Sequence, residues 1–418
     1  MLLAERLLDF SAITPNLEKR QFLLTFNYKC SLCDATYEID PELMLCPECS
    51  STHEPGQPLS GVLEVELKGT LSSQDPMDFL PVERKFFPTI PVGNTPLWHP
   101  GNLLEKYAFP ELYLKDDGVN PTGSLKDRAS FLVAAFARRH GLGEVVVAST
   151  GNAGSSMAGV GAAAGLKVKL FLPKTAPPAK MIQALQYGAD VVLAEKNYDQ
   201  AFSLSLEYSQ TRGGMNRNTA YNPMTIEGKK TVSLELFNQL KKSPDHVFVG
   251  VGDGVILSGI YKGFRDLLQL GRLAKIPVVH AIQASGSSAI YRALESGVFD
   301  GRSAKTVADS ISVDVPSNGR LALKNLKAYN GRCVTVTDEE ILSAQKELSS
   351  ACGLFSEPAA AAAYAGFLKQ KPILDSSETC VVLLTGNGLK DINSAANNIV
   401  IPEKTINSLD EIFYNGIA

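Results

Sequence analysis

The chain has 418 residues, of which 44% are hydrophobic and 20% are charged, and its formal net charge is −4. This length exceeds what one small core needs and predicts two lobes with additional segments. The weakly negative charge gives no reason to expect nucleic acid or an anionic membrane as a partner. No apolar stretch of 18 residues is free of charge, so no membrane-spanning helix is predicted.

Residues 1–21 are predicted to form an N-terminal helix and arm. The apolar start carries Glu5, Arg6 and Asp9, so it lacks the uninterrupted apolar core of a signal peptide. We therefore expect an amphipathic helix and a cytoplasmic protein.

Two cysteine pairs, Cys30-x-x-Cys33 and Cys46-x-x-Cys49, are separated by 12 residues. Each pair closes a tight knuckle, and two such knuckles can present four thiolates tetrahedrally to Zn²⁺. The spacing predicts a zinc-ribbon-like module at residues 22–60 with a structural zinc ion. The alternatives are disulfides, which the cytoplasm disfavours, or a ribbon that has lost its metal.

Residues 61–105 are predicted as a linker and the entry into a large domain, with a possible strand at Gly61–Lys68. Strands and helices alternate beyond this linker, which predicts an α/β fold with parallel sheets covered on both faces. The predicted strands are Val145–Ala148, Lys167–Leu172, Asp190–Ala194, His246–Val251, Val278–Gln283 and Cys380–Thr385. The predicted helices include Asp127–Arg139, Ala153–Ala164, Ala179–Tyr187, Tyr198–Thr211 and Asp338–Ala351.

Lys126 lies in the run Asn120-Pro-Thr-Gly-Ser-Leu-Lys-Asp-Arg128, between a turn and a predicted helix. A positioned, partly desolvated amine has a lowered pKa and can form a Schiff base with a carbonyl group. The alternative is an exposed lysine in the first turn of a helix, paired with Asp127.

Three loops that are rich in glycine or hydroxyl groups follow predicted strands. They are Ser149-Thr-Gly-Asn152, Gly250-Val-Gly-Asp-Gly254 and Thr385-Gly-Asn-Gly388. A glycine-rich turn at the start of a helix presents free N–H groups and a positive dipole end to an anion. Parallel sheets bind ligands at the carboxyl ends of their strands, so the loops predict one shared site.

Six motifs in this order resemble the threonine synthase family, within the pyridoxal-phosphate enzymes of the tryptophan synthase β-type fold. They are Pro91-Val-Gly-Asn-Thr-Pro-Leu97, Lys115 to Arg128, Ser149-Thr-Gly-Asn152, Ile226-Glu-Gly-Lys-Lys-Thr231, Phe355-Ser-Glu-Pro-Ala359 and Thr385-Gly-Asn-Gly-Leu-Lys-Asp391. The resemblance implies a two-lobed, three-layer fold type II enzyme with a zinc-ribbon-like extension. It also implies a small domain at 106–225, a large domain at 226–418 and a homodimer.

The same resemblance implies roles for individual residues. Lys126 would hold pyridoxal 5′-phosphate and act as the base at the substrate Cα. Asn152 would bind the ring hydroxyl of the cofactor, and Thr385 would face its pyridine nitrogen. The cofactor phosphate would bind the loop formed by Gly252, Asp253, Gly254, Val255 and Ile256, and the substrate would bind Ser149, Thr150, Gly151, Asn152 and Asn222.

Two departures from the family pattern concern the substrate. The family pattern usually offers a serine and an arginine to the phosphate of O-phosphohomoserine, whereas this chain has Ala220 and Thr225 at the corresponding positions. Arg217, Lys229 or Lys230 are candidates to replace the missing cation. The alternatives are a related β-eliminating or β-replacing enzyme acting on a small amino acid, or a non-enzymatic scaffold that carries the ribbon.

Overall fold

In the computed structural model, residues 23–176, 178–396, 399–400, 402 and 405–406 are described. The helix predicted within residues 1–21 lies outside these residues. The described strands are β1 Leu23–Cys30, β2 Thr36–Tyr37, β3 Leu63–Thr70, β4 Leu97–Trp98, β5 Leu112–Asp116, β6 Glu144–Ala148, β7 Lys167–Pro173, β8 Asp190–Ala194, β9 Met215–Asn216, β10 His246–Gly250, β11 Val278–Ala284, β12 Arg332–Val336 and β13 Cys380–Leu384. The described α-helices are α1 Pro47–Ser50, α2 Gly101–Tyr107, α3 Lys126–Arg139, α4 Asn152–Ala164, α5 Pro178–Gln186, α6 Tyr198–Arg212, α7 Met224–Lys229, α8 Thr231–Leu240, α9 Val255–Gln269, α10 Ala289–Ser296, α11 Gly319–Ala328, α12 Asp338–Cys352, α13 Pro358–Gln370 and α14 Ile392–Ala396.

Two sheets form the two lobes. The six-stranded sheet has the order β12-β11-β10-β13-β5-β4 and the four-stranded sheet the order β8-β7-β6-β9. All neighbouring strands in both sheets are parallel except the short β4, which runs antiparallel to β5. Every residue of β10 and β13 is buried, because helices cover both faces of a parallel sheet. The predicted α/β class is confirmed.

The predicted strands correspond to β6, β7, β8, β10, β11 and β13, and each boundary agrees within one residue. The five predicted helices correspond to α3, α4, α5, α6 and α12 with the same agreement. The division into small and large domains stays a prediction. The strand pairing nevertheless places β5, which falls within the predicted small domain, beside β13 in the six-stranded sheet.

The N-terminal extension is a three-stranded antiparallel sheet with the order β2-β1-β3, in which Cys30 pairs with Leu63. Hydrogen bonds to backbone carbonyl groups join this extension to the segment around α11. Lys324 Nζ donates to Ser31 O at 2.7 Å, and Leu59 donates its N–H to Ser317 O at 3.0 Å. No described helix is long and apolar enough to cross a bilayer.

A buried ion network joins β5, α3 and α8. Glu235 accepts from Lys115 Nζ at 2.7 Å and from Arg128 Nη1 at 2.5 Å, and Arg128 Nε donates to Asp117 at 2.6 Å. Because Arg128 follows Lys126 by two residues, this network anchors the first turn of α3.

We expect Glu235→Gln to lower the free energy of unfolding by about 3 kcal/mol near neutral pH, because it removes the carboxylate that pairs with buried Lys115 and leaves Arg128 paired with Asp117 alone. Burial alone would raise the pKa of Glu235, but Arg128 and Lys115 outweigh it and lower the pKa to about 2. The folded-state pKa lies below that of the unfolded chain, so this stabilisation is complete above about pH 4.5 and is lost as the pH falls towards 2. Denaturant unfolding of both proteins at pH 7 and pH 3 checks this, and an equal difference at both pH values would contradict it.

Candidate active site

Three strand ends meet at the cleft between the lobes. Ser149 follows β6 of the four-stranded sheet, whereas Val251 follows β10 and Thr385 follows β13 of the six-stranded sheet. The backbone before Lys126 is tied to the loop after β13, since Leu125 donates its N–H to Thr385 O at 2.9 Å. The turn that carries Lys126 is therefore held against the end of β13.

Lys126 is the first residue of α3 and is half-buried. Burial of its amino group lowers its pKa; Asp253 and Glu357 oppose this, and the positive charge of Arg217 adds to it. A lowered pKa increases the unprotonated, nucleophilic fraction of the amine near neutral pH. The side chain thus meets the chemical requirement for bonding to an aldehyde.

The loop after β10 requires glycine at two positions. A Cβ at Gly252 would lie 2.8 Å from Ile311 Cα, and Gly254 has a φ of +88°. Gly254 caps α9, whose first-turn N–H groups have no carbonyl partner within the helix. The carboxylate of Asp253 turns back and accepts the Val255 N–H at 2.9 Å, so one of these donors is engaged within the loop.

The predicted substrate-binding residues differ in their surroundings. Thr150, Gly151 and Asn152 line a cavity of about 690 Å³ at the cleft, and the side chain of Ser149 accepts the Gly151 N–H at 3.2 Å. Asn222 is buried, and its amide bonds to Asn216 O at 2.6 Å and to the N–H of the first residue of α7. The structure thus places Asn222 as a brace of the loop before α7, and its substrate contact stays a prediction.

Glu357 also belongs to the site, although its motif, Phe355 to Ala359, predicts no role for it. It is buried in the cavity wall, and its two carboxylate oxygens accept from Asn152 Nδ2 at 3.0 and 2.9 Å. Ser310 Oγ donates to it at 3.2 Å. Burial raises the pKa of Glu357, whereas Asn152 and the charge of Lys126 lower it.

Lys390 is a second such residue. It lines the same cavity, and its amino group donates to Gln183 Oε1 at 2.5 Å, Thr122 O at 3.0 Å and Ser155 Oγ at 3.1 Å. The motif Thr385 to Asp391 contains Lys390 and so places it near the site, but its hydrogen-bond partners come from three other segments of the chain, which the motif does not predict.

The four predicted metal-binding cysteines come together in the extension. Cys30, Cys33, Cys46 and Cys49 have their sulfur atoms within 4.8 Å of one another. Sulfur atoms at these separations are compatible with one shared metal ion.

The chain matches the family of pyridoxal-phosphate-dependent enzymes over residues 89–386. It is 35% identical over 378 residues to the threonine synthase of Methanosarcina acetivorans, which covers 88% of this chain and 92% of that protein. The threonine synthase of Methanocaldococcus jannaschii is 33% identical over 390 residues, with 88% and 93% covered. The chain belongs to the threonine synthase family. Membership of this family makes it a pyridoxal-phosphate-dependent lyase, and the resemblance predicted from its motifs is confirmed.

Solved structures support the fold. Threonine deaminase isoform 2 from Solanum lycopersicum superposes with a TM-score of 0.62 at 23% identity, covering 73% of this chain and 86% of that one. Maize serine racemase superposes with a TM-score of 0.63 at 20% identity, covering 71% and 88%. At these identities the likeness concerns the fold alone.

The residues at the cleft fit pyridoxal phosphate. The amine of Lys126 suits its aldehyde, and the close approach of the backbone at Gly252, before the N-terminus of α9, suits its phosphate. Thr385 offers a hydroxyl rather than a carboxylate at the end of β13. When bound, the cofactor supplies the electron sink for the substrate Cα carbanion, and the protein supplies orientation and proton transfer.

Proposed function

We propose that the chain is a threonine synthase, which converts O-phospho-L-homoserine and water into L-threonine and phosphate. The observation that carries this proposal is the similarity to curated threonine synthases along nearly the whole chain, including 92% of the Methanosarcina protein. In the overall reaction the Cγ–O bond to phosphate breaks, Cβ loses a proton and gains a hydroxyl group from water, Cγ gains a proton, and the second proton of the water leaves with the phosphate.

The described residues support a role for each part of the site. The Lys126 amine removes the proton at Cα, since a lowered pKa keeps it able to accept one. Ser149, Thr150 and Asn152 lie around the N-terminus of α4, which favours the carboxylate of the substrate. Asn152, whose Nδ2 group has two hydrogens, would donate one to the cofactor ring hydroxyl and keep the other on Glu357, and Thr385 would face the ring nitrogen.

A second candidate is a related enzyme that eliminates or replaces a group at Cβ of serine, threonine or O-phosphoserine. The observation that favours it is the absence of a guanidinium at position 225. The Thr225 hydroxyl is buried and donates to Asn222 O at 2.8 Å, so it is already engaged.

Substrate comparison separates the two candidates. We expect phosphate and threonine to form from O-phosphohomoserine faster than pyruvate forms from serine, 2-oxobutyrate from threonine, or cysteate from O-phosphoserine and sulfite. Faster formation of any of the last three products would favour the second candidate.

We further propose that the metal at the four cysteines is zinc and that it is structural. A site with four thiolates has no open position for a substrate, and the cysteines lie in the extension rather than at the cleft. The homodimer and the cytoplasmic location expected from the sequence stay predictions.

We expect Cys46→Ser combined with Cys49→Ser to abolish the one zinc ion per chain. The extension should then be cleaved by protease within residues 23–62 at least about tenfold faster, because a structural zinc ion supplies much of the folding free energy of a small module. Elemental analysis and limited proteolysis measure both effects, and Cys333→Ser, which lies outside the cluster, is the control. Wild-type protein purified without chelator that holds no metal would contradict the proposal.

A further inference from the structure

Two buried cations near the cleft have atoms without a partner. Arg217 and Lys229 are both fully buried. Lys229 Nζ and Arg217 Nη1 have no hydrogen-bond partner among the described residues. The neighbouring Lys230 differs, because it is paired with Glu227 and Asp266 and also donates to Phe79 O at 2.8 Å. Burying a cation without a partner is unfavourable in free energy. We therefore expect Arg217 and Lys229 to bind an anion that is not part of the described polypeptide.

Packing places the two cations against the helices that begin at the cleft: α9, which follows the loop after β10, and α3, which begins at Lys126. Lys229 lies against α9, since a Cβ at Gly259, one turn into that helix, would come 2.7 Å from Lys229 Cβ. Arg217 lies against α3, where its Nε and Nη2 atoms are each 3.4 Å from Ser130 Oγ. Ser130 is one turn after Lys126.

The charges around Lys229 leave this region short of negative charge. Burial lowers the pKa of Lys229, and Lys126 and Arg217 lower it further, whereas Asp253 opposes them. Burial also lowers the pKa of Arg217, to about 10, against the opposing effect of Asp253. Asp253 acts on all three cations; Glu357 also acts on Lys126 and Asp127 on Arg217, whereas Asp253 is the carboxylate that opposes the low pKa of Lys229.

We propose that Arg217 and Lys229 bind the phosphoryl group of the substrate. This inference rests on the proposed function. Lys229 follows Thr225 by four residues in α7, so both side chains leave the same face of the helix. The Lys229 amine thus replaces the charge of the arginine that the family pattern has at position 225. Arg217 adds a second charge-assisted donor.

Arg217 and Lys229 have the chemistry to bind the phosphate of the cofactor as well as that of the substrate, so the test measures the binding of substrate and of cofactor separately. We expect Lys229→Met to raise KM for O-phosphohomoserine about 10- to 100-fold, the loss expected for one hydrogen bond to a charged group. Calorimetric titration of the holoenzyme with inorganic phosphate should show weaker binding by a similar factor. The Kd of pyridoxal phosphate, followed by absorbance, should change less than twofold.

Thermal stability distinguishes this role from a structural one. Lys229→Met removes an unpaired buried amine, so its Tm should equal or exceed that of the wild type. Lys230→Met breaks a paired network and should lower Tm, and the surface variant Lys242→Met should change neither Tm nor KM. If Lys229→Met fails to fold, Lys229→Gln and Arg217→Lys take its place.

Unchanged KM and unchanged phosphate binding in a folded Lys229 variant would overturn the inference. A weaker Kd for the cofactor with an unchanged KM would also overturn it, because the anion would then be the cofactor phosphate. If the wild type does not act on O-phosphohomoserine, the proposed function fails separately. Phosphate binding that is lost in Lys229→Met would then still support an anion site at this cation pair.

Discussion

Lys126→Ala is expected to lower threonine formation by more than about 10³-fold, since one side chain both holds the cofactor and transfers the proton at Cα. We expect this loss because Lys126 begins α3, the backbone before it is bonded to the end of β13, and its pKa is lowered. Steady-state assays of phosphate release measure the loss. The surface variant Lys242→Ala serves as the matched control and should keep wild-type activity.

Chemical trapping tests the same assignment without turnover. Borohydride reduction of the wild-type holoenzyme should fix the cofactor on the peptide that contains Lys126, and Lys126→Ala should retain none after denaturation. Trapping on any other lysine would contradict the assignment.

Glu357→Gln is expected to lower kcat about 10- to 100-fold with a smaller effect on KM. The substitution keeps the shape of the side chain but removes the negative charge that opposes the low pKa of Lys126. It also weakens the acceptor for Asn152 Nδ2 and Ser310 Oγ, and a hydrogen bond to a charged group contributes about 1.5–3 kcal/mol. Ser310→Ala removes one neutral donor and should cost less.

The sign of a pH effect separates this role from simple packing. Without the carboxylate the pKa of Lys126 falls further, so its amine stays unprotonated to a lower pH. The rate at which the cofactor-free enzyme captures pyridoxal phosphate should therefore reach half its maximum at a lower pH in Glu357→Gln than in the wild type. An unshifted midpoint together with an unchanged kcat would exclude the role given to Glu357.

Strands with continuous apolar sequence could be predicted because their signal is local. β10 and β13 are apolar runs that end at glycine-rich loops, and their predicted boundaries agree with the structure within one residue. The sequence does not predict β5, because Lys115 interrupts its apolar pattern. The charge of Lys115 is tolerated there because it pairs with Glu235, 120 residues further along the chain, and that contact cannot be read from the local sequence.

The candidate site divides in the same way. Lys126 and the loop from Gly252 to Ile256 stand in recognisable motifs, so sequence alone predicted them. The roles of Glu357 and Lys229 depend on contacts between distant parts of the chain. Glu357 accepts hydrogen bonds from Asn152 and Ser310, whereas the Lys229 amine has no partner among the described residues. Lys229 and Lys230 are adjacent in sequence and equivalent by pattern, yet the fold pairs Lys230 with carboxylates and gives the Lys229 amine no hydrogen-bond partner in the part of the chain that the structure describes.

The most direct test of the proposed reaction is to run it in H₂¹⁸O with O-phospho-L-homoserine and to locate the isotope. A threonine synthase breaks the Cγ–O bond and adds water at Cβ, so ¹⁸O should appear in the hydroxyl of threonine while the released phosphate stays unlabelled. Labelled phosphate accompanied by homoserine would show hydrolysis at phosphorus, and that result would contradict the proposed function.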